Sequence, residues 1–264
     1  AAKLQESIVT KTNFAPSASS NILCSQHQLP ANAITELFGS SAVDYVVVHN
    51  FLGSQWSDCI RFDCDRLYKF EQQSLLRRPE SRSRSSSNSI SMLPMIGAVP
   101  PIAILEKEYP ALCEAVDALH LLAFEINSRH AGAQLCLPKH GTTTLQVFDH
   151  PTCGYTKHND NDIEQQPNQS NGPDSPHSVD TGCAVSALYH NTGQGNGSSM
   201  PPLTLELVDN RRITIPAEDD QLVLFNSRRV RTSRPAKNDS SSIPSSTFQT
   251  LYVVHCRMLG RISA

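Results

Sequence analysis

From Thr142 to the end of the chain, short apolar runs alternate with turn residues, and this pattern constrains the fold more than any other sequence feature. The runs are rich in Val, Leu, Ile and Thr and are separated by Gly, Pro, Asn and Asp. Such runs predict antiparallel strands, and seven in succession indicate a barrel or a sandwich. The predicted strands cover residues 143–149, 154–158, 183–190, 203–208, 211–215, 221–225 and 247–256.

Helical patterns precede these strands. Residues 44–53 form a β-branched run closed by glycine, which predicts a strand, and Ser54 is placed to cap a helix behind it. Pro110 opens a second long helix. Two helices followed by strands make the fold class α+β, mainly β. The apolar positions at helical spacing are Trp56, Cys59, Ile60, Leu67 and Phe70 in the first helix and Leu112, Ala115, Val116, Leu119, Leu122, Ala123 and Ile126 in the second.

The chain has 264 residues, which suits a single all-β domain of large size. We predict a partly disordered N-terminal extension at residues 1–40, ending in a short helix at 33–38, and one domain at residues 41–264. Hydrophobic residues make up 39% of the chain, which is below the usual share in globular proteins. The difference is concentrated in polar insertions. The insertions lie at residues 77–91, 163–180, 192–202 and 237–246.

Charge and cysteine content limit the partners and the compartment. A formal net charge of −3 gives no general field that would attract nucleic acid or an anionic membrane. No apolar run approaches the roughly 20 residues that span a bilayer. The eight cysteines include no CxxC pair and several lie in apolar runs, which indicates reduced thiols and an intracellular protein, cytoplasmic or nuclear. Any charged partner must therefore be bound by a local patch of the surface.

The segment His158-Asn159-Asp160 carries the clearest chemical signal. In an extended chain, residues two apart project from one face, so this imidazole and this carboxylate could hold one side of a divalent ion. The same spacing also arises by chance, and a hydrogen-bonded surface turn is the alternative interpretation. A zinc site built from His140, His150 and Cys153 is a further alternative.

Residues 154–161 resemble the iron-binding strand of the hypoxia-type prolyl hydroxylases, and the likeness extends from about Asp44 to Ile262. The resemblance implies a double-stranded β-helix, also called a jelly roll, with Fe(II) in its mouth and 2-oxoglutarate deeper inside. It also implies ascorbate, and hydroxylation of a prolyl residue in a protein. The segments that follow the family's elements in order are 46–53, 110–130, 185–191, 203–207, 220–229, 234–236 and 250–254.

The resemblance makes His158 and Asp160 metal ligands and places the third ligand, a histidine in the family, at Arg231. No histidine occurs between His190 and His255. A guanidinium stays protonated and cannot ligate a metal, which would also repel it. The hypothesis is that Arg231 pairs with Asp160 and occupies the place of the ion.

The resemblance also assigns the co-substrate site. The arginine that grips 2-oxoglutarate in the family falls at Phe248, so its bidentate donor is missing. A tyrosine that binds the same co-substrate falls at Phe148, whereas Tyr189 matches a second pocket tyrosine and is the predicted catalytic and cofactor-binding residue. Strand alternation predicts that His255, with Arg257, lies on the face opposite the pocket.

The basic cluster Arg228, Arg229, Arg231 and Arg234 could receive an acidic peptide or a phosphate, or be a solvated loop. Two functional hypotheses follow. The chain is a divergent 2-oxoglutarate-dependent dioxygenase with an altered metal site, or it is a non-catalytic binding module that uses its basic rim to bind a protein partner.

Overall fold

The structure, a computed structural model, has three helices and eleven strands among the residues that it describes. The described residues are 29–39, 43–76, 91–94, 107–137, 143–149, 155–158, 182–193, 200, 202–234 and 250–262, and of residues 71–76, 91–94 and 155–158 only the backbone is considered. The helices are α1 (Ala33–Phe38), α2 (Ser54–Leu76) and α3 (Pro110–Arg129). The strands are β1 (Tyr45–His49), β2 (Ser91–Pro94), β3 (Ala133–Cys136), β4 (Thr143–Phe148), β5 (Tyr155–His158), β6 (Cys183–Asn191), β7 (Leu203–Leu207), β8 (Arg212–Ile215), β9 (Gln221–Asn226), β10 (Val230–Arg234) and β11 (Leu251–Ile262).

The strands form two antiparallel sheets. The major sheet has the order β1-β9-β6-β11-β4-β2, and β3 pairs with the end of β11. The minor sheet has the order β5-β10-β7-β8. The fold is therefore mainly β with a few helices, as the sequence predicts.

Two apolar clusters divide the interior. One lies between the helices and the major sheet, where Tyr252, Val254 and Tyr189 pack with helical residues such as Leu119. The other lies between the two sheets and joins major-sheet side chains to those of the minor sheet. Neighbouring strand residues alternate between the two faces of a sheet. Membership of one cluster or the other therefore shows whether a side chain faces the helices or the space between the sheets. The inter-sheet cluster includes Phe148, Leu188, Val223, Leu251, Val253, Leu203, Leu205 and Val230.

The helix predictions are confirmed, with one correction. All seven apolar positions predicted for α3 are buried. In α2, Ile60 and Leu67 are buried, but Cys59 and Phe70 are exposed. Asp63 of α2 accepts hydrogen bonds from the backbone N–H groups at the start of α3, and this carboxylate fixes the two helices together.

All seven predicted strand segments contain a strand, but the sequence missed three others. The structure adds β2, β3 and β10, and it extends the last strand to Ile262. The insertions at residues 163–180 and 237–246 lie outside the described residues, as does most of the segment at 77–91 and of the N-terminal extension. Among the described helices, none combines the length and hydrophobicity needed to cross a lipid bilayer.

A buried carboxylate anchors the turn between β1 and α2. Asp220 lies in the left-handed region, at φ 51°, just before β9. Its Oδ1 and Oδ2 accept hydrogen bonds from the N–H groups of Leu52 and Gly53 at 2.8 and 2.6 Å. The hydroxyl of Tyr189 donates to Oδ1 at 3.1 Å. Burial raises the pKa of the Asp220 carboxyl, although the two N–H donors oppose that shift. Asp220 therefore connects three separate parts of the fold.

Candidate functional site between the two sheets

Strand β10 lies in the minor sheet between β5 and β7. In register, Thr232 lies opposite His158 of β5, and Arg234 lies opposite Tyr155. All five residues of β10 are described, and Val230, Thr232 and Arg234 are the buried ones. Strand alternation therefore turns an apolar group, a hydroxyl and a guanidinium towards the inter-sheet space. β10 turns no imidazole or carboxylate to that side.

The structure places Arg231 on the opposite face of β10 from Thr232. Arg231 is exposed on β10 and lines an outer groove of the minor sheet. A side chain on that face points away from the inter-sheet space, so it cannot occupy the place of an ion there. Thr232 is the β10 residue that is buried opposite His158. The resemblance assigns the third ligand to Arg231, and one position along a strand reverses the face, so the inward-facing neighbour Thr232 is the alternative position.

Arg234 is the guanidinium that enters the interior. It is 1% exposed and lies over the ring of Phe148, with 5.0 Å between the guanidinium carbon and the ring centroid. This distance suits a cation–π contact. Its Nη2 also lies 3.0 Å from Nε2 of His190. Arg234 is therefore a buried cation whose contacts include an aromatic ring and an imidazole.

His190 is held neutral by its surroundings. Its Nδ1 lies 2.8 Å from Oε1 of Gln221, and its Nε2 receives the Arg234 donor. Nδ1 must therefore carry the proton that Gln221 accepts, and Nε2 must be the acceptor. Burial and the neighbouring Arg234 cation lower the pKa of His190 to about 3. Because both ring nitrogens are engaged, His190 is not available as a metal ligand.

The neutral state of His190 predicts a pH dependence of stability. A histidine whose pKa is about 3 when folded and about 6.5 when unfolded binds more protons in the unfolded chain across that window. The contribution of neutral His190 to the free energy of unfolding is thus complete above pH 6.5 and declines as the pH falls towards 3. We expect the free energy of unfolding to drop by about 1 kcal/mol between pH 6 and pH 5 from this group. Urea unfolding at both pH values, in the wild type and in His190→Gln, measures it, and equal pH slopes in the two proteins would contradict the assignment.

His255 lies on the face of β11 opposite Tyr252 and Val254, as strand alternation predicts. It shares that face with Leu251 and Val253, and its Nδ1 lies 3.3 Å from Nε2 of Gln146. That face looks into the inter-sheet space, whereas Tyr252 and Val254 pack against the helices. The placement of His255 relative to the co-substrate pocket stays a prediction.

The remaining predicted site residues are divided between different places. Phe148 lies between the sheets beside Arg234. Tyr189 of β6 instead lies on the face of the major sheet that packs against the helices, and its hydroxyl donates a hydrogen bond to Asp220. The backbone of His158 ends β5, and Asp160 and Phe248 lie outside the described residues. The structure therefore brings Phe148 near the interior cation and separates Tyr189 from it.

The described residues do not fit a facial-triad metal site. No group of three His, Cys, Asp or Glu side chains within the described part of the chain lies close enough to hold an ion. The position opposite His158 is a threonine, and the next buried residue of β10 carries a positive charge. A divalent ion nearby would be repelled by that charge. Arg234 could instead bind a carboxylate, which a guanidinium pairs with through two parallel hydrogen bonds.

Comparisons with known proteins identify the fold. No family model matches this chain, and no curated protein does. Solved structures do match. A prolyl hydroxylase from Trichoplax adhaerens, in complex with a hypoxia inducible factor oxygen degradation domain peptide fragment, has a TM-score of 0.57 at 19% identity, over 86% of this chain and 87% of its own. This chain has the prolyl hydroxylase-like 2-oxoglutarate oxygenase fold.

Two further structures agree with this fold. The α-ketoglutarate-dependent carbocyclase SnoK from nogalamycin biosynthesis has a TM-score of 0.53 at 12% identity and covers 88% of this chain and 85% of its own. A prolyl 4-hydroxylase from Pseudomonas putida has a TM-score of 0.51 at 15% identity and covers 87% of this chain and 97% of its own. At these identities the likeness shows the double-stranded β-helix architecture and not the chemistry.

Proposed function

We propose that this chain is a non-catalytic protein with the 2-oxoglutarate oxygenase fold that binds a protein or peptide partner. The observation that carries the proposal is the orientation of β10, which presents Thr232 and Arg234 to the interior and Arg231 to the exterior. With His158 and Asp160 as its ligands, an iron site would lack its third protein ligand and would face a buried cation. Loss of outer-sphere groups alone typically costs about 10- to 100-fold in metal affinity or activity.

The kind of partner is proposed from the fold. The Trichoplax adhaerens protein was solved with a peptide fragment bound. A chain that keeps this fold while losing metal ligands can retain a surface for a polypeptide. Fe(II), 2-oxoglutarate and ascorbate, which the sequence resemblance implies, have no role in turnover under this proposal.

Calorimetry with Mn(II), a redox-silent substitute for Fe(II), tests the proposal on the full chain. We expect no binding heat from Mn(II), with or without 2-oxoglutarate. An incubation with Fe(II) and 2-oxoglutarate should release no succinate above the blank. Binding of Mn(II) and 2-oxoglutarate together with succinate release would instead establish the divergent dioxygenase.

Placing a histidine on β10 provides a sharper measurement. Because Thr232 is buried opposite His158, we expect Thr232→His to give a measurable Mn(II) binding heat that the wild-type chain lacks, as a restored ligand should. Arg231→His is the matched control. It places a histidine where the resemblance assigns the third ligand, but this position faces outwards. If Mn(II) bound only to Arg231→His, position 231 and not position 232 would face the metal site.

We also propose an intracellular location, based on the thiols. Cys64, Cys183 and Cys256 are buried in the core, and burial raises the pKa of Cys256 to about 12. Buried thiols of this kind are inert and suit a reducing compartment. A tagged full-length protein found in the secretory pathway would contradict this location.

A further inference from the structure

A basic groove lies on the outer surface of the minor sheet, on the side away from the helices. Its volume is about 320 Å³, near the lower end of ligand pockets, and it is bounded by the β7–β8 turn and the β9–β10 turn. We call it the outer groove, and it is lined by Glu206, Leu207, Val208, Asn210, Arg228, Arg229 and Arg231.

The charge of the outer groove is opposite to that of the whole chain. Three arginines and the Glu206 carboxylate line the groove, and the Asp44 carboxylate pairs with Arg229 beside it, in a protein whose formal net charge is −3. Glu206 lies opposite Arg231 across the β7–β10 pair, so it offsets one of the three cations. Asp44 offsets a second cation, so the groove carries a modest net positive charge in an acidic chain. A local field of this kind selects an anionic partner.

Two of the three arginines are held in place by the fold. Nη2 of Arg228 donates to the carbonyl oxygen of Gly260 at 2.7 Å, and Nη1 of Arg229 lies 3.3 Å from Oδ1 of Asp44. The side chain of Arg229 is nevertheless 52% exposed. Guanidiniums that are already positioned lose less conformational entropy when an anion binds. The groove is thus a prearranged set of cations with accessible donors.

An exposed apolar side chain completes the outer groove. Val208 is 61% exposed at the β7–β8 turn, next to the buried Leu207. The turn is closed by a hydrogen bond from the N–H of Asn210 to the Leu207 carbonyl, and Asn210 has a φ of 63°. Val208 is therefore presented on a structured turn beside the arginines.

We infer that the outer groove docks an acidic peptide segment, whose carboxylates meet the arginines while an aliphatic side chain covers Val208. This inference rests on the proposed function, because it names the chemistry of the partner. A peptide fits better than a nucleic acid: the groove is short and apolar at one end, whereas nucleic acids need an extended basic stripe. Arg–carboxylate pairs also supply the bidentate geometry that gives such docking its specificity.

Fluorescence anisotropy on the full chain tests the inference. The probe is a fluorescein-labelled synthetic peptide of alternating Glu and Leu, and the comparison peptide has Gln at every Glu position. We expect the Glu peptide to bind, the Gln peptide to bind at least about tenfold more weakly, and added sodium chloride to weaken binding of the Glu peptide.

Variants assign the binding to the groove. Arg231→Glu should weaken Glu-peptide binding at least about tenfold, and Arg231→Gln, which keeps the sheet free of a new Glu206 repulsion, about threefold. The matched control is Lys69→Glu, which makes the same charge change at an exposed position of α2 and should leave binding unchanged. Circular dichroism confirms that each variant is folded.

Several outcomes would overturn the inference. They are the absence of Glu-peptide binding, equal binding of the Gln peptide, equal loss in Lys69→Glu and Arg231→Glu, or tighter binding of a single-stranded RNA probe that competes with the peptide. The two proposals fail separately. Succinate release with Fe(II) would reject the non-catalytic function while the outer groove could still bind the peptide, and loss of peptide binding would leave the β10 argument intact.

Discussion

Replacing Arg234 with alanine is expected to lower the free energy of unfolding by about 3 kcal/mol. The substitution removes a buried side chain, leaves the Nε2 acceptor of His190 without its donor, and takes away the cation that lies over Phe148. Loss of the desolvated charge offsets only part of this cost, since the space that the guanidinium filled remains. Equilibrium unfolding in urea measures the change.

Arg231→Ala is the control for that experiment. It is the same substitution three residues away on the same strand, but on the exposed face, where changes are usually within about 0.5 kcal/mol. Equal destabilisation by the two substitutions would mean that β10 does not have the orientation described. A larger effect at Arg231 would place Arg231, and not Arg234, on the buried face of β10.

Replacing Asp220 with alanine should cost about 4 kcal/mol. Its carboxylate accepts from the N–H groups of Leu52 and Gly53 and from the Tyr189 hydroxyl, and alanine would leave these donors without their acceptor. The backbone φ of 51° adds strain, because alanine adopts that conformation less readily than aspartate. Urea unfolding again gives the value.

Asp220→Asn separates the two causes. Asparagine tolerates a positive φ and keeps one carbonyl acceptor, so a loss of only about 1–2 kcal/mol is expected. Tyr189→Phe removes a single donor and should cost about 1 kcal/mol. If alanine and asparagine were equally destabilising, the loss would come from charge and not from geometry.

The elements with strong periodicity were predictable from sequence. The α3 stripe repeats at helical spacing and is buried as expected, because one apolar face of a helix must pack against a sheet. The strand pattern predicted the barrel class and the resemblance the double-stranded β-helix, and solved structures of that fold match the chain. Local pattern thus determined the fold class.

Strand β10 shows why the site was harder to predict. Its sequence Val-Arg-Thr-Ser-Arg has a single apolar residue, so nothing local marks it as a strand. It is a strand because β7 and β5 pair with it on both sides. Without that pairing the face of each residue is undetermined, and Arg231 and Arg234 look alike. Alternation from the buried Thr232 is the one signal that separates them.

Which face of the sheet Tyr189 and His255 occupy was hard to predict for a related reason. Both faces of β6 and of the first part of β11 are buried, so hydrophobic pattern does not tell helix-facing from inter-sheet positions. Only the partners in three dimensions do so. The prediction of His158 and Asp160 as metal ligands remains a prediction.

The position of β11 has a consequence for how the chain is made. The strand at the centre of the major sheet, which pairs with β6, β4 and β3, follows all the other described strands in chain order. In the same way β1 pairs with the much later strand β9, where Leu222 lies opposite Val48. A nascent chain therefore exposes unpaired edges of β4 and β6 until β11 has been synthesised, which slows folding and favours aggregation.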